Sequence, residues 1–130
     1  MAKTARSTFK SQKNASDLLT DAVLNGLQEK KAIDIVVLDL RGLSGVVADV
    51  FIVCEGNSST QVEALARSVE ETVEKEIGEK PTHIEGTKNA QWVLIDYISV
   101  VVHIFQPEQR TYYGIERLWA DAETRIITGN

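Results

Sequence analysis

The stretch that most constrains the fold of this chain is Val100 to Phe105, VVVHIF. An apolar, β-branched run broken only by a histidine predicts a strand covered on both faces. Just upstream, Trp92, Leu94 and Asp96 alternate with Val93 and Ile95, a period of two that predicts a second strand over 91–97 with unlike faces. The few residues between them leave room only for a tight turn, so the two are expected to pair. Pro107 then ends the ladder and suits the first turn of a helix, where its missing N–H costs nothing. That helix is expected to bring Tyr112, Ile115 and Trp119 onto one side, at spacings of three and four, with Arg110, Glu116 and Arg117 between them.

The rest of the chain must build around this unit. Residues 1–15 show no periodicity and read as a mobile tail. Ser16 is the expected N-cap of a helix running to about Lys31, with Asp17 in its first turn and Leu19, Val23 and Leu27 buried. Gly26 in its middle weakens it by about 1 kcal/mol. Ile33–Leu40 reads as a first strand, RGLSGVVAD as a loop, and Val50–Cys54 as a second, central strand. Ser58 with Gln61 matches a capping box at the start of a long helix that buries Val62, Leu65, Val69, Val73 and Ile77. Gly78 and Pro81 stop it. Thr82–Glu85 is a short strand before the terminal unit. The order α-β-β-α-β-β-β-α predicts an α/β (α+β) fold with a mixed five-stranded sheet flanked by helices. The expected organisation is one domain over 16–122, between the basic tail 1–15 and a C-terminal tail over 123–130.

Composition limits the function classes. Hydrophobic residues make up 43% and charged ones 25% of 130 residues, as in a globular domain with a real core. No window nears eighteen consecutive apolar residues, so no membrane span is predicted, and the N-terminus lacks the apolar segment of a secretory signal. The single cysteine, Cys54, lies in an apolar strand and points to a reducing, cytoplasmic setting. Lys3, Arg6, Lys10 and Lys13 make the first fifteen residues basic. The remainder, ten bases against nineteen acids, carries −9. Such a body is poorly suited to nucleic-acid phosphates; it suits a basic protein partner and equally serves solubility.

No catalytic, metal or cofactor site is predicted. EGNSSTQ has the outline of a phosphate-binding turn but lacks the P-loop lysine and the three glycines of a dinucleotide fingerprint. A nucleotidyl transferase needs paired carboxylates for magnesium. Here Asp96 is the only acid on its strand, Glu85 stands alone at the end of another, and no Asp-x-Asp pair is suitably placed. His83 and His103 lack partners at ligand spacing, and there is no nucleophile elbow.

Two segments carry a family resemblance. EGTKNAQWVLIDYISVVVHIFQPEQRTYYGIERLW, with Glu85-Gly86, Trp92, Asp96, His103, Arg110, Tyr113, Glu116 and Leu118-Trp119, closely resembles the ribosomal silencing factor (RsfS or Iojap) family. ADVFIVCEGNSSTQVEALA is similar to the family's Asp-x-Phe run leading into a Gly-x-Ser-Ser helix start. The match spans roughly Ser16 to Asp121 and leaves out the basic tail. Gly114 and the turn Ile98-Ser99 depart from the family pattern. The resemblance implies a non-enzymatic translation repressor related to the nucleotidyltransferase fold but non-catalytic. It implies binding to the large ribosomal subunit through its protein L-fourteen, a block on joining of the small subunit, and homodimers. The partner-binding residues expected are Trp92, Asp96, Glu85, Leu94, Tyr113 and Trp119, with packing of the helix onto the sheet as the other role open to Tyr112, Tyr113 and Trp119. Contact of the basic tail with ribosomal RNA is a further expectation, and a small nucleotidyltransferase-like enzyme acting on nucleotide or RNA is the alternative.

Overall fold

The structure is a computed structural model and describes residues 14–128. Its six strands are β1 (Ile33–Asp39), β2 (Val50–Glu55), β3 (His83–Glu85), β4 (Trp92–Asp96), β5 (Val100–Phe105) and β6 (Glu123–Ile126). They form one mixed sheet in the order β3-β4-β5-β2-β1-β6. Only β2 and β5 run parallel; β1–β2, β3–β4, β4–β5 and β1–β6 are antiparallel. The mixed α+β architecture expected from the sequence is present, with β2 central. The strand count is corrected from five to six: residues 123–126, read as the start of a tail, pair with Val36–Asp39 of β1.

Alternation gives the sheet two unequal faces. Val37, Ile52, Cys54, Val93, Ile95, Val102 and Ile104 form a fully apolar face under α1 (Ala15–Glu29) and α2 (Ser59–Ile77). The other face carries a smaller cluster, in which Val36, Leu38, Val53 and Phe105 pack under Ile115 and Ala122. Each fully buried aliphatic or aromatic side chain contributes about 1.5–3 kcal/mol, so the face under the long helices dominates stability.

The helix ends differ in detail from expectation. Asn14, not Ser16, caps α1, its side chain accepting from the Asp17 N–H at 2.9 Å. Ser16 is buried inside the helix and donates its hydroxyl to the Asp49 carboxylate, which ties the 40–49 loop to α1. At α2, Ser58 accepts from Gln61 N–H, but the Gln61 side chain accepts from Asn57 N–H rather than closing the box on Ser58. Gly26 serves close packing: a Cβ there would lie 2.9 Å from the Ser68 carbonyl oxygen and from Val69 Cα. At the same crossing Ser68 Oγ donates to the Gly26 carbonyl at 2.7 Å.

The terminal helix is broken. α3 (Pro107–Tyr113) ends at Gly114, whose φ of 58° is left-handed, and α4 (Ile115–Leu118) starts anew from it. The expected common stripe of Tyr112, Ile115 and Trp119 therefore does not form. Ile115 is buried, Tyr112 is exposed, and Trp119 turns onto Phe51. Arg110 holds the break together. Its guanidinium donates twice to Glu116 of α4 at 2.9 and 2.8 Å, and also to the Asp34 carbonyl (2.7 Å) and Glu55 (3.1 Å).

Two outcomes follow from this packing. Gly26→Ala should improve helix propensity by about 1 kcal/mol yet lower stability overall, because forcing two helix backbones apart costs about 1–3 kcal/mol; a denaturant midpoint that rises would contradict the close-approach reading. Arg110→Met should cost about 3 kcal/mol or more, since two carboxylates lose a largely buried cation. The hydrogen bonds from Arg110 hold the Glu116 carboxyl below the usual glutamate range. Its stabilisation is therefore complete above the unfolded glutamate pKa and disappears as pH falls through the lowered folded value. The stability gap between wild type and Arg110→Met should narrow on acidification, as thermal melts across that range will show.

Candidate functional site

The shorter cover over the second face leaves part of it open. Register places Glu85, Leu94 and His103 in one row across β3, β4 and β5, and His83, Asp96 and Val101 in the next. Trp92 stands opposite Phe105 on the same face. Trp92, Leu94 and Asp96 are half-buried, whereas Val93 and Ile95 behind them are fully buried. The unlike faces read from the alternation are thus present.

Aromatic rings build the middle of this face. Trp92 stacks on Phe105 with centroids 5.0 Å apart and meets Tyr113 at 4.5 Å, while Tyr112 stands edge-on to Tyr113 at 5.0 Å. Trp92 Nε1–H donates to His103 Nδ1 at 3.2 Å. That bond leaves the neutral ring its proton on Nε2, which has no hydrogen-bond partner among the described residues. Phe51 meets the His103 ring edge-on at 4.8 Å. Burial pushes the His103 pKa down to about 4, against a small opposing pull from Asp96. His103 is therefore a neutral acceptor that orients Trp92 at physiological pH, with no free proton-transfer role on the surface.

Beyond this row lies an apolar cleft of about 420 Å³, lined by Val46, Val47, Phe51, Ile98, Val101 and Trp119, with Asp96 at its rim. Val47 and Ile98 are exposed, as is Leu118 nearby in sequence to Trp119. Asp96 Oδ1 accepts from the Ile98 N–H at 2.7 Å, and Ile98 has φ 75°. A β-branched residue in the left-handed region is strained by about 1–3 kcal/mol. That bond is how the Ile98-Ser99 turn is held without a glycine.

Five of the six expected partner residues gather closely. Trp92, Leu94 and Asp96 share β4, Glu85 flanks Leu94 from β3, and Tyr113 covers Trp92. Trp119 joins them only through the cleft, from the far side of Phe51. Glu85 is exposed and pairs with His83. Sequence reasoning missed Phe51, Val101 and the loop pair Val46-Val47; the signal for the last was an apolar dipeptide inside a glycine-rich loop. Among the described residues, no group of three or more His, Cys, Asp or Glu side chains could hold a metal ion, and no helix is long and apolar enough to cross a membrane.

Comparison with known proteins bears on this arrangement. The family profile described as "Ribosomal silencing factor during starvation" matches residues 12–129. A ribosomal silencing factor from Halalkalibacterium halodurans is 41% identical over 111 residues, covering 85% of this chain and 93% of that protein. The one from Bacillus subtilis is 46% identical over 94 residues, covering 72% and 78%. Among solved structures, a crystal structure of a Chromobacterium violaceum protein superposes with a TM-score of 0.74 at 36% identity, covering 85% of this chain and 91% of the other. With a matching profile over nearly its whole length and relatives of this identity, the chain belongs to the ribosomal silencing factor family.

Proposed function

We propose that this chain represses translation by docking on the large ribosomal subunit through its protein L-fourteen, and so blocks association with the small subunit. The observation that carries this reading is the open face. There the exposed Tyr113 over half-buried Trp92, together with half-buried Leu94, lies beside the carboxylates of Glu85 and Asp96. Large rings that shed water on docking supply affinity. Acids at their margin select a basic partner and speed encounter, in keeping with a body whose acids outnumber its bases. The same reading takes the protein as cytoplasmic, non-enzymatic and self-associating. Its basic tail, most of which lies outside the described residues, reaches ribosomal RNA.

Position on the face sorts the tests. Trp92 is stacked and hydrogen-bonded, so Trp92→Ala should weaken both folding and docking. Tyr113 and Glu85 are exposed and report on docking more cleanly. Tyr113→Ala should cost about 2 kcal/mol of binding and less than that in stability, since the ring is exposed although it meets Trp92, Phe105 and Tyr112. Glu85→Lys should slow association and remove part of its salt dependence. Pull-down with recombinant L-fourteen beside thermal melts checks both; undiminished capture by folded Tyr113→Ala and Glu85→Lys would sink the assignment of this face. Co-migration of the protein with free large subunits on a sucrose gradient is the direct test of the function.

For the tail, a truncation that begins at Asn14 keeps the helix cap and should melt like the full chain. Its binding to large subunits should lose salt dependence, by about 0.7–0.9 in logarithmic slope for each tail cation that met a phosphate. An unchanged slope would remove RNA contact from the proposal.

A further inference from the structure

A histidine stands among the acids of the open face. His83 begins β3, the short edge strand, and is exposed, as is Glu85 two residues on. A spacing of two puts both side chains on one side of the strand, and His83 Nε2 lies 2.5 Å from Glu85 Oε2. Register sets Asp96 of β4 opposite His83, and Leu94 opposite Glu85, so the pair belongs to the face that holds Trp92 and Leu94. The cleft along this edge is lined by His83 together with Lys80 and with Glu70 and Glu74 of α2. Lys80 already pairs with Glu74. His83 therefore has carboxylates on its own strand, on β4 and on α2, against one lysine that is itself engaged.

We propose that His83 makes docking of a basic partner on this face depend on pH, tight while the ring is neutral and weakened once it is charged. Histidine is the side chain whose ordinary titration falls between about pH 5 and 8. The chain has two. Burial pushes the pKa of His103 down to about 4, which leaves His83 as the histidine that changes the charge of this face over that range. While its ring is neutral, the carboxylates of Glu85 and Asp96 both act on an arriving cation. A proton on His83 places a positive charge in contact with Glu85 and opposite Asp96. A lysine or arginine of the partner must then compete with an internal cation for the same carboxylate. The coupling is reciprocal: a bound basic partner opposes the proton on His83, so docking at mildly acidic pH releases it. Its size is that of one exposed ion pair, about two- to fivefold in affinity, and salt shrinks it by screening. The inference rests on docking by the open face and supplies its control.

Titration of the full chain with recombinant L-fourteen at low salt, at about pH 8 and about pH 5.5, tests the proposal with two variants. His83→Gln cannot take up the charge, so its own change with pH reports the partner and every other group. Wild type should lose about two- to fivefold more affinity on acidification than His83→Gln does. His83→Lys carries the charge at both pH values and should bind more weakly than wild type at about pH 8, by the same factor. His83 is exposed on a three-residue edge strand, so both variants should stay folded, and thermal melts at each pH verify it. A wild type that follows His83→Gln across the range, or a His83→Lys that binds like wild type at about pH 8, would overturn the inference and leave docking by this face standing. Absence of binding by wild type at both pH values would instead overturn the docking reading, and the inference with it.

Discussion

The guanidinium of Arg110 is the interaction on which the outer layer depends. It is buried, and it satisfies its donors on Glu116, Glu55 and the Asp34 carbonyl. One side chain from α3 thereby fixes α4, the end of β2 and the irregular start of β1, where Asp34 itself has φ 52°. An unpaired buried charge is costly, and a buried pair repays desolvation only with good geometry. The two-pronged contact with Glu116 supplies that geometry. Without it the short helices, of seven and four residues, would have little of their own to hold them, since isolated helices of that length do not persist in water.

The open face is a consequence of unequal cover. Two long helices seal one side of the sheet, and the pieces left for the other side reach Trp92 at the start of β4 but leave Leu94, Asp96 and β3 partly open. Leu94 and Asp96 remain half-open there, while Phe105, one strand over, is fully buried. Trp92 bridges the two regimes. Its ring packs inward against Phe105 and its N–H is satisfied by His103. A large apolar surface is thus fixed in place at the boundary between core and solvent. Fixing such a ring before encounter removes ordering cost from binding.

Much of this was legible in the chain. VVVHIF with the alternation of Trp92 to Asp96 specified the hairpin and which of its faces is mixed, because strand period and burial are tied directly. Ser58, Gly78 and Pro81 marked the limits of α2 through cap chemistry that is local. What was not legible depends on tertiary contact. Glu123 to Ile126 shows no alternation, since every residue in it is exposed, so its pairing with β1 leaves no hydrophobic signature. Gly114 looked only like a weak helix former, though its left-handed φ breaks the helix and sends Trp119 to Phe51. Gly26 looked like a defect until Ser68 was seen against it. Of the candidate site, the β4 residues and Tyr113 were readable. Phe51, Val46 and Val47 were not, because a loop's side-chain directions are set by what it packs on.

The parallel contact of β2 with β5 also governs how the chain assembles. β1–β2 and β4–β5 are local pairings that close over short loops, whereas the register Val50↔Val100 joins positions that are far apart in the chain. Loop-closure entropy must be met before that seam yields any stabilisation. The β2–β5 seam therefore carries a larger closure cost than β1–β2 or β4–β5. During synthesis the β1 edge waits still longer, because β6 follows all the other strands in the chain and pairs with β1 only after it has cleared the exit tunnel. Until then the growing chain carries an open strand edge at β1, with the side of β1 away from β2 left unpaired.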